Sequence, residues 1–169
     1  MDVDAFWALI EQSGRETSTK RSRREWLENQ LGGRPADDII DFQKWLTLCE
    51  YQGNTWDVWG AGTAAFLTSS ADSFLYFRRW LIGLGRETFE RVIADPETLF
   101  EIPETRNLID LRTWTAEEWP EFEFLGYVAF KPYRDRAGLD LCTLHEQAAA
   151  RAGLGEDWDT MRGTPPDHH

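Results

Sequence analysis

Along most of the chain, apolar residues return at intervals of three and four, the spacing that puts them on one face of an α-helix. Phe6, Leu9 and Ile10 mark a first helix over residues 4–12, with Gly14 as its stop. Trp26, Leu27 and Leu31 mark a second, entered through a polar, basic stretch and closed by Gly32 and Gly33. A third has Pro35 at its first position, Asp37 and Asp38 at the positive end of the helix dipole, and a stripe of Ile39, Phe42, Leu46 and Cys49. Asn54 is placed to cap a fourth helix, with Asp57 three residues on in the manner of a capping box, and Ser69 with Asp72 repeats that arrangement for a fifth. The fifth carries Phe74, Phe77, Leu81 and Leu84, and Gly85 supplies a terminator. Phe89, Val92 and Ile93 define a sixth helix over residues 86–94, and Asp95-Pro96 opens another short turn.

After Pro103 the rhythm weakens. The stretch "RNLIDLRTWTAEEWP" suggests a loop with one helical turn. The stretch "EFEFLGYVAF" alternates as a strand does, while Phe122, Leu125 and Ala129 fit a helix from Pro120 that Pro132 bends or ends; helix is the expectation. Asp140 and Gly153 bracket an alanine-rich final helix, and residues 156–169 have the composition of a disordered tail. The predicted architecture is an all-α, single-domain bundle of seven or eight helices over residues 1–155, with residues 36–102 as its densest part.

A chain of 169 residues, 41% hydrophobic, suffices for one sizeable core, and 9 tryptophans, 10 phenylalanines and 4 tyrosines must fill much of it or pave a surface. The net charge of −12 repels polyanions and so argues against nucleic acid or an anionic membrane as partner. The acid is concentrated in the second half: residues 1–91 sum to −3 and residues 92–169 to −9, a surface suited to a basic protein partner. Cys49 and Cys142 are far apart and form no CxxC pair. The opening "MDVDAFWALIEQSG" has no basic leader and no window approaches 18 apolar residues, so the expectation is a cytoplasmic protein with no membrane contact.

Catalytic patterns are missing: there is no GxxxxGK[ST], HExxH, GxSxG or GxGxxG, and no catalytic residue, metal or cofactor is expected. His145 is the one histidine within a patterned segment and reads as solvent-facing; Glu117, Glu118, Glu121 and Glu123 read as a solvated acidic face. Lys20, Arg21, Arg23 and Arg24 beside Trp26 resemble a nucleic-acid stripe, but in so acidic a chain they read better as a mobile loop or a surface for the protein's own acidic half.

Residues 56–87 are different, because aromatic and charged positions interleave at helical spacing. Trp56 and Trp59 lie three apart, Gly60 and Gly62 offer close helix approach, and Tyr76, Arg78, Arg79 and Trp80 follow on the next helix. Arg78 can extend over an indole, and Asp57 or Asp72 can pair with Arg78 or Arg86. The candidate binding residues are Trp56, Asp57, Trp59, Asp72, Tyr76, Arg78, Trp80 and Arg86. They suit either a ligand pocket or a structural network between packed helices.

The run "WDVWGAGTAAFLTSSADSFLYFRRWLIGLGRETFERVIADPETL", together with "MDVDAFWALIE", resembles the bacterial family known as domain of unknown function 4240. The resemblance covers residues 2–12 and about 36–102, and its signature positions fall on Trp56, Asp57, Trp59, Asp72, Tyr76, Arg78, Trp80, Arg86 and Glu87. It implies no activity. The chain departs from the family in having "LTSSADSF" where relatives have a glycine-rich stretch, and in its alanine-rich segment after Leu139. The leading expectation is a small acidic helical module that binds a protein or peptide partner, preferably a basic one, as an immunity or regulatory factor. The alternative is an enzyme or small-molecule binder with a Trp- and Arg-lined pocket between the helices at 54–67 and 71–84. A nucleic-acid protein using residues 20–26 is the weakest reading.

Overall fold

The computed structural model describes residues 1–106 and 114–166. Among them are nine α-helices: α1 (Val3–Glu16), α2 (Lys20–Gly32), α3 (Ala36–Gln52), α4 (Trp56–Phe66), α5 (Ala71–Gly83), α6 (Arg86–Ala94), α7 (Pro103–Arg106), α8 (Phe130–Ala137) and α9 (Leu141–Ala152). Two 3₁₀ segments, Pro96–Glu101 and Glu123–Tyr127, join them, and the described residues include no strand. The fold is all-α, as the spacing predicts. Residues 107–113 of "RNLIDLRTWTAEEWP" lie outside the described residues.

The predicted stripes are the core. Phe6, Ile10, Leu27, Leu31, Ile39, Phe42, Leu46, Phe74, Phe77 and Leu81 are buried, and α3 runs through the middle with α5, α8 and α9 against it. Arg151 ties α9 to the start of α3 through the carboxylates of Asp37 (2.6 Å) and Asp41 (2.9 Å).

Several local expectations shift. Helix α1 runs through Gly14, because that glycine stacks against the Arg23 guanidinium of α2, whose nitrogens donate to Ser13 Oγ, Ile10 O and Gly83 O. The basic run is therefore the first two turns of α2 and no mobile loop. Lys20 anchors it to the acidic half through its backbone N–H to Glu117 and its Nζ to Ala116 O and Trp119 O. Pro35 is the N-cap of α3, one place before the predicted position.

The caps of α4 and α5 also fall one residue later than expected. Thr55 accepts from Val58 N, and Ser70 and Ser73 form a reciprocal capping box. Asn54 is drawn inside instead, where its amide donates to Asp159 O at 2.8 Å. Gly85, at φ 104°, serves both neighbours: it follows the C-cap of α5, donating to Ile82 O at 3.1 Å, and is itself the N-cap of α6. The segment 120–131 is neither strand nor one helix: its 3₁₀ turn precedes α8, and Pro132 sits in the first turn of α8, where a missing N–H costs nothing.

The largest difference is at the C-terminal end. Where composition suggests a disordered tail, the chain as far as Pro166 lies against the α3–α4 junction. Arg162 exchanges backbone hydrogen bonds with both sides of Thr55, accepting from Trp56 N (3.0 Å) and donating to Asn54 O (3.1 Å). Its guanidinium covers Tyr51 at 4.0 Å and donates to Tyr51 O. This strap forms a wall of both depressions described next.

Candidate functional site

Helices α4 and α5 pack directly against each other, so no cleft separates them. Gly62 is the point of contact: a Cβ there would lie 3.0 Å from Phe77 Cε1, whereas one at Gly60 would meet nothing within 4 Å. Close approach therefore belongs to Gly62 alone. Trp56 stacks on Trp59 (5.7 Å, 9°) and Trp59 on Phe74 (5.0 Å, 14°), and the Trp59 indole N–H donates to Thr68 O at 2.8 Å. The Arg78 guanidinium ends this column, 4.6 Å above the Phe74 ring and not above an indole.

The remaining predicted residues scatter. Trp80 is buried between Phe66 and Phe77. The Tyr76 hydroxyl donates to Glu123 at 3.3 Å, and Arg86 pairs with Asp4 and Glu90, each at 2.8 Å. Asp57 and Asp72 are exposed in the first turns of α4 and α5, and among the described residues neither pairs with Arg78 or Arg86.

Two depressions flank the aromatic column. The first is a groove of ≈ 550 Å³ between α4 and the 3₁₀ turn at Pro96–Glu101. Trp56, Asp57, Gly60 and Ala61 form one side, Asp95, Pro96, Glu97 and Phe100 the other, and Thr164 and Pro166 of the strap close an end. It brings three carboxylates and two aromatic rings together. None of the three carboxylates belongs to an ion pair among the described residues, although Asp95 accepts a hydrogen bond from Glu97 N that fixes its orientation. Gly60, without a side chain, leaves the floor open.

The second is smaller and more enclosed, ≈ 180 Å³, behind Arg78. Helix α3 contributes Gln43, Thr47 and Glu50, with Asn54 just beyond its end; α5 contributes Leu75, Arg78 and Arg79; α9 contributes His145; the strap contributes Trp158 and Asp159. Gln43, Thr47, Glu50, Asn54, Arg78 and Arg79 are all buried, between 4% and 9% exposed. Arg79 is held by an ion pair and a backbone carbonyl, with Nε on Glu50 Oε1 at 2.7 Å, Nη1 on Glu123 O at 3.1 Å, and the guanidinium seated on Gly126. Arg78 is not. Its Nη1 donates to Glu50 O at 2.6 Å, but its buried Nε has no partner. Burial lowers the Arg78 pKa to about 10, still charged at neutral pH, while Glu50 raises it and Arg79 lowers it further. His145, exposed on its outer side, has its pKa lowered by desolvation, against the pull of Glu50 and with the push of Arg79, and is neutral at pH 7.

This polar cavity is the feature that residue patterns missed, apart from Arg78. Its signal is a second stripe that runs along α3 and just past its end: Gln43, Thr47, Glu50 and Asn54 recur at intervals of four, three and four, a helical spacing beside that of the apolar stripe, and so pass for a solvated face.

A family profile described as "protein of unknown function (DUF4240)" matches residues 1–135. No curated protein and no solved structure matches the chain. Both depressions thus combine matched residues with walls from beyond position 135.

Proposed function

The chain belongs to the DUF4240 family, and on that premise we propose that it is a small binding module that recognises a basic segment of a protein partner in the groove between α4 and Pro96–Glu101. The observation that carries this reading is the lining of the groove: Asp57, Asp95 and Glu97 beside Trp56 and Phe100, with no internal ion pair among the described residues. A Lys or Arg side chain laid there gains carboxylates for its charge and aromatic faces for its stem, while leaving most of its hydration intact. The net charge of −12 accelerates the encounter with such a partner and disfavours acidic competitors. Acting on a basic partner inside the cell, such a module works as an immunity or regulatory factor, by occupying a surface.

The test is titration of a fluorescently labelled Lys- and Arg-rich peptide, followed by anisotropy at low and high salt. Saturable binding that weakens with salt is expected, and reversing two charges (D57K with E97K) lowers affinity by tenfold or more, about 1.4 kcal/mol per tenfold. Equal binding by the reversed variant overturns the groove as the site.

A further inference from the structure

We infer that the enclosed cavity between α3, α5, α9 and the strap is a binding site for a small monoanion of the carboxylate class, held by Arg78. The site is separate from the groove and stands without it.

The inference starts from an imbalance of charge. Two guanidinium groups and one carboxylate are buried together, and the carboxylate, Glu50, is committed to Arg79 at 2.7 Å. Arg78 is left as the excess cation, and among the described residues no carboxylate lies within ion-pairing distance of it. A buried, unpaired charge is costly, and a fold retains one where a counter-charge arrives from outside.

The surroundings hold Arg78 in place. Its aliphatic chain lies over the bare Cα of Gly53, where a Cβ would come within 3.3 Å of Cδ, and its guanidinium stacks on Phe74. Nη1 is used on a backbone carbonyl, which leaves the Nε edge of the fork without an acceptor. A carboxylate is the acceptor whose two oxygens match a guanidinium edge. Gln43, Thr47 and neutral His145 add uncharged hydrogen-bonding groups around the same space. Asp159 opposes an anion, but it stands exposed at the rim, where water screens it.

Volume sets the size of the guest. At about 30 Å³ per water, 180 Å³ holds about six waters, which admits a small carboxylate and leaves no room for a long chain.

Thermal unfolding of the intact protein in acetate, inorganic phosphate and chloride, all at matched ionic strength, tests the assignment. Acetate raises the midpoint above chloride, in proportion to the logarithm of its concentration. Arg78→Lys removes the acetate response. Because a change at a buried arginine can prevent folding, Gln43→Glu serves as the second variant: it places a carboxylate beside the cavity, raises the midpoint without ligand and abolishes the response to acetate. A midpoint indifferent to acetate, a response to phosphate alone, or a full acetate response in either variant overturns the inference.

Discussion

Gly126 and Gly60 are both glycines in or beside helical turns, yet their surroundings demand opposite outcomes from the same substitution. A Cβ at Gly126 would fall on the Arg79 guanidinium, so Gly126→Ala forces Arg79 away from Glu50 and leaves a buried carboxylate unpaired. Breaking such a pair costs about 3–5 kcal/mol. Gly60 is exposed on α4 with nothing within 4 Å of a Cβ, so Gly60→Ala stabilises the helix by up to about 1 kcal/mol. Urea denaturation of the two variants checks both signs, and a mild cost at Gly126 would show that Arg79 has somewhere else to go. The pair also explains why the double arginine Arg78-Arg79 works asymmetrically: one guanidinium is locked between a glycine and a glutamate, while its neighbour keeps an edge without a partner.

At the level of elements, the helices were legible because their apolar stripes repeat over several turns, and a repeat survives small errors in any one position. Caps were legible only to within a residue. Asn54 and Thr55, or Ser69 and Ser70, are chemically interchangeable as caps, and the choice between them is made by contacts that adjacent residues do not reveal. Asn54 is claimed by Asp159, 105 positions away, and Ser70 gains a reciprocal partner in Ser73. Ser70→Ala therefore lowers the stability of the protein by about 1 kcal/mol and Ser69→Ala leaves it unchanged, measured by the same denaturation. Of the eight residues singled out from their spacing, Trp56 and Asp57 line the groove and Arg78 lines the polar cavity, but the expected space between α4 and α5 is filled by Gly62 against Phe77. The polar stripe of α3 could not be told from a solvated face because the elements that cover it, α9 and the strap, come about a hundred residues later.

Across the whole molecule, charge and connectivity act together. Lys20 of the basic helix α2 is held by Glu117 and two carbonyls of the acidic half, and Arg151 pairs in turn with the acidic start of α3, so the two halves of the chain are tied together while the whole keeps a net charge of −12. The strap is part of this arrangement. Removing the residues after Gly155 deletes the acceptor of the Trp56 amide and the donor to Asn54 O, so amide hydrogen exchange at Trp56 accelerates and the unfolding midpoint falls. Unchanged exchange at Trp56 would mean that the strap contributes nothing to the start of α4. A strap that closes on residue 54 from residue 159 also sets an order of events in time. Contacts so distant in sequence form after local helices have paired, and during synthesis they wait until the strap, about a hundred residues behind α3, has emerged. The helices before it thus assemble around a polar chamber that stays open to solutes until the strap docks as its wall.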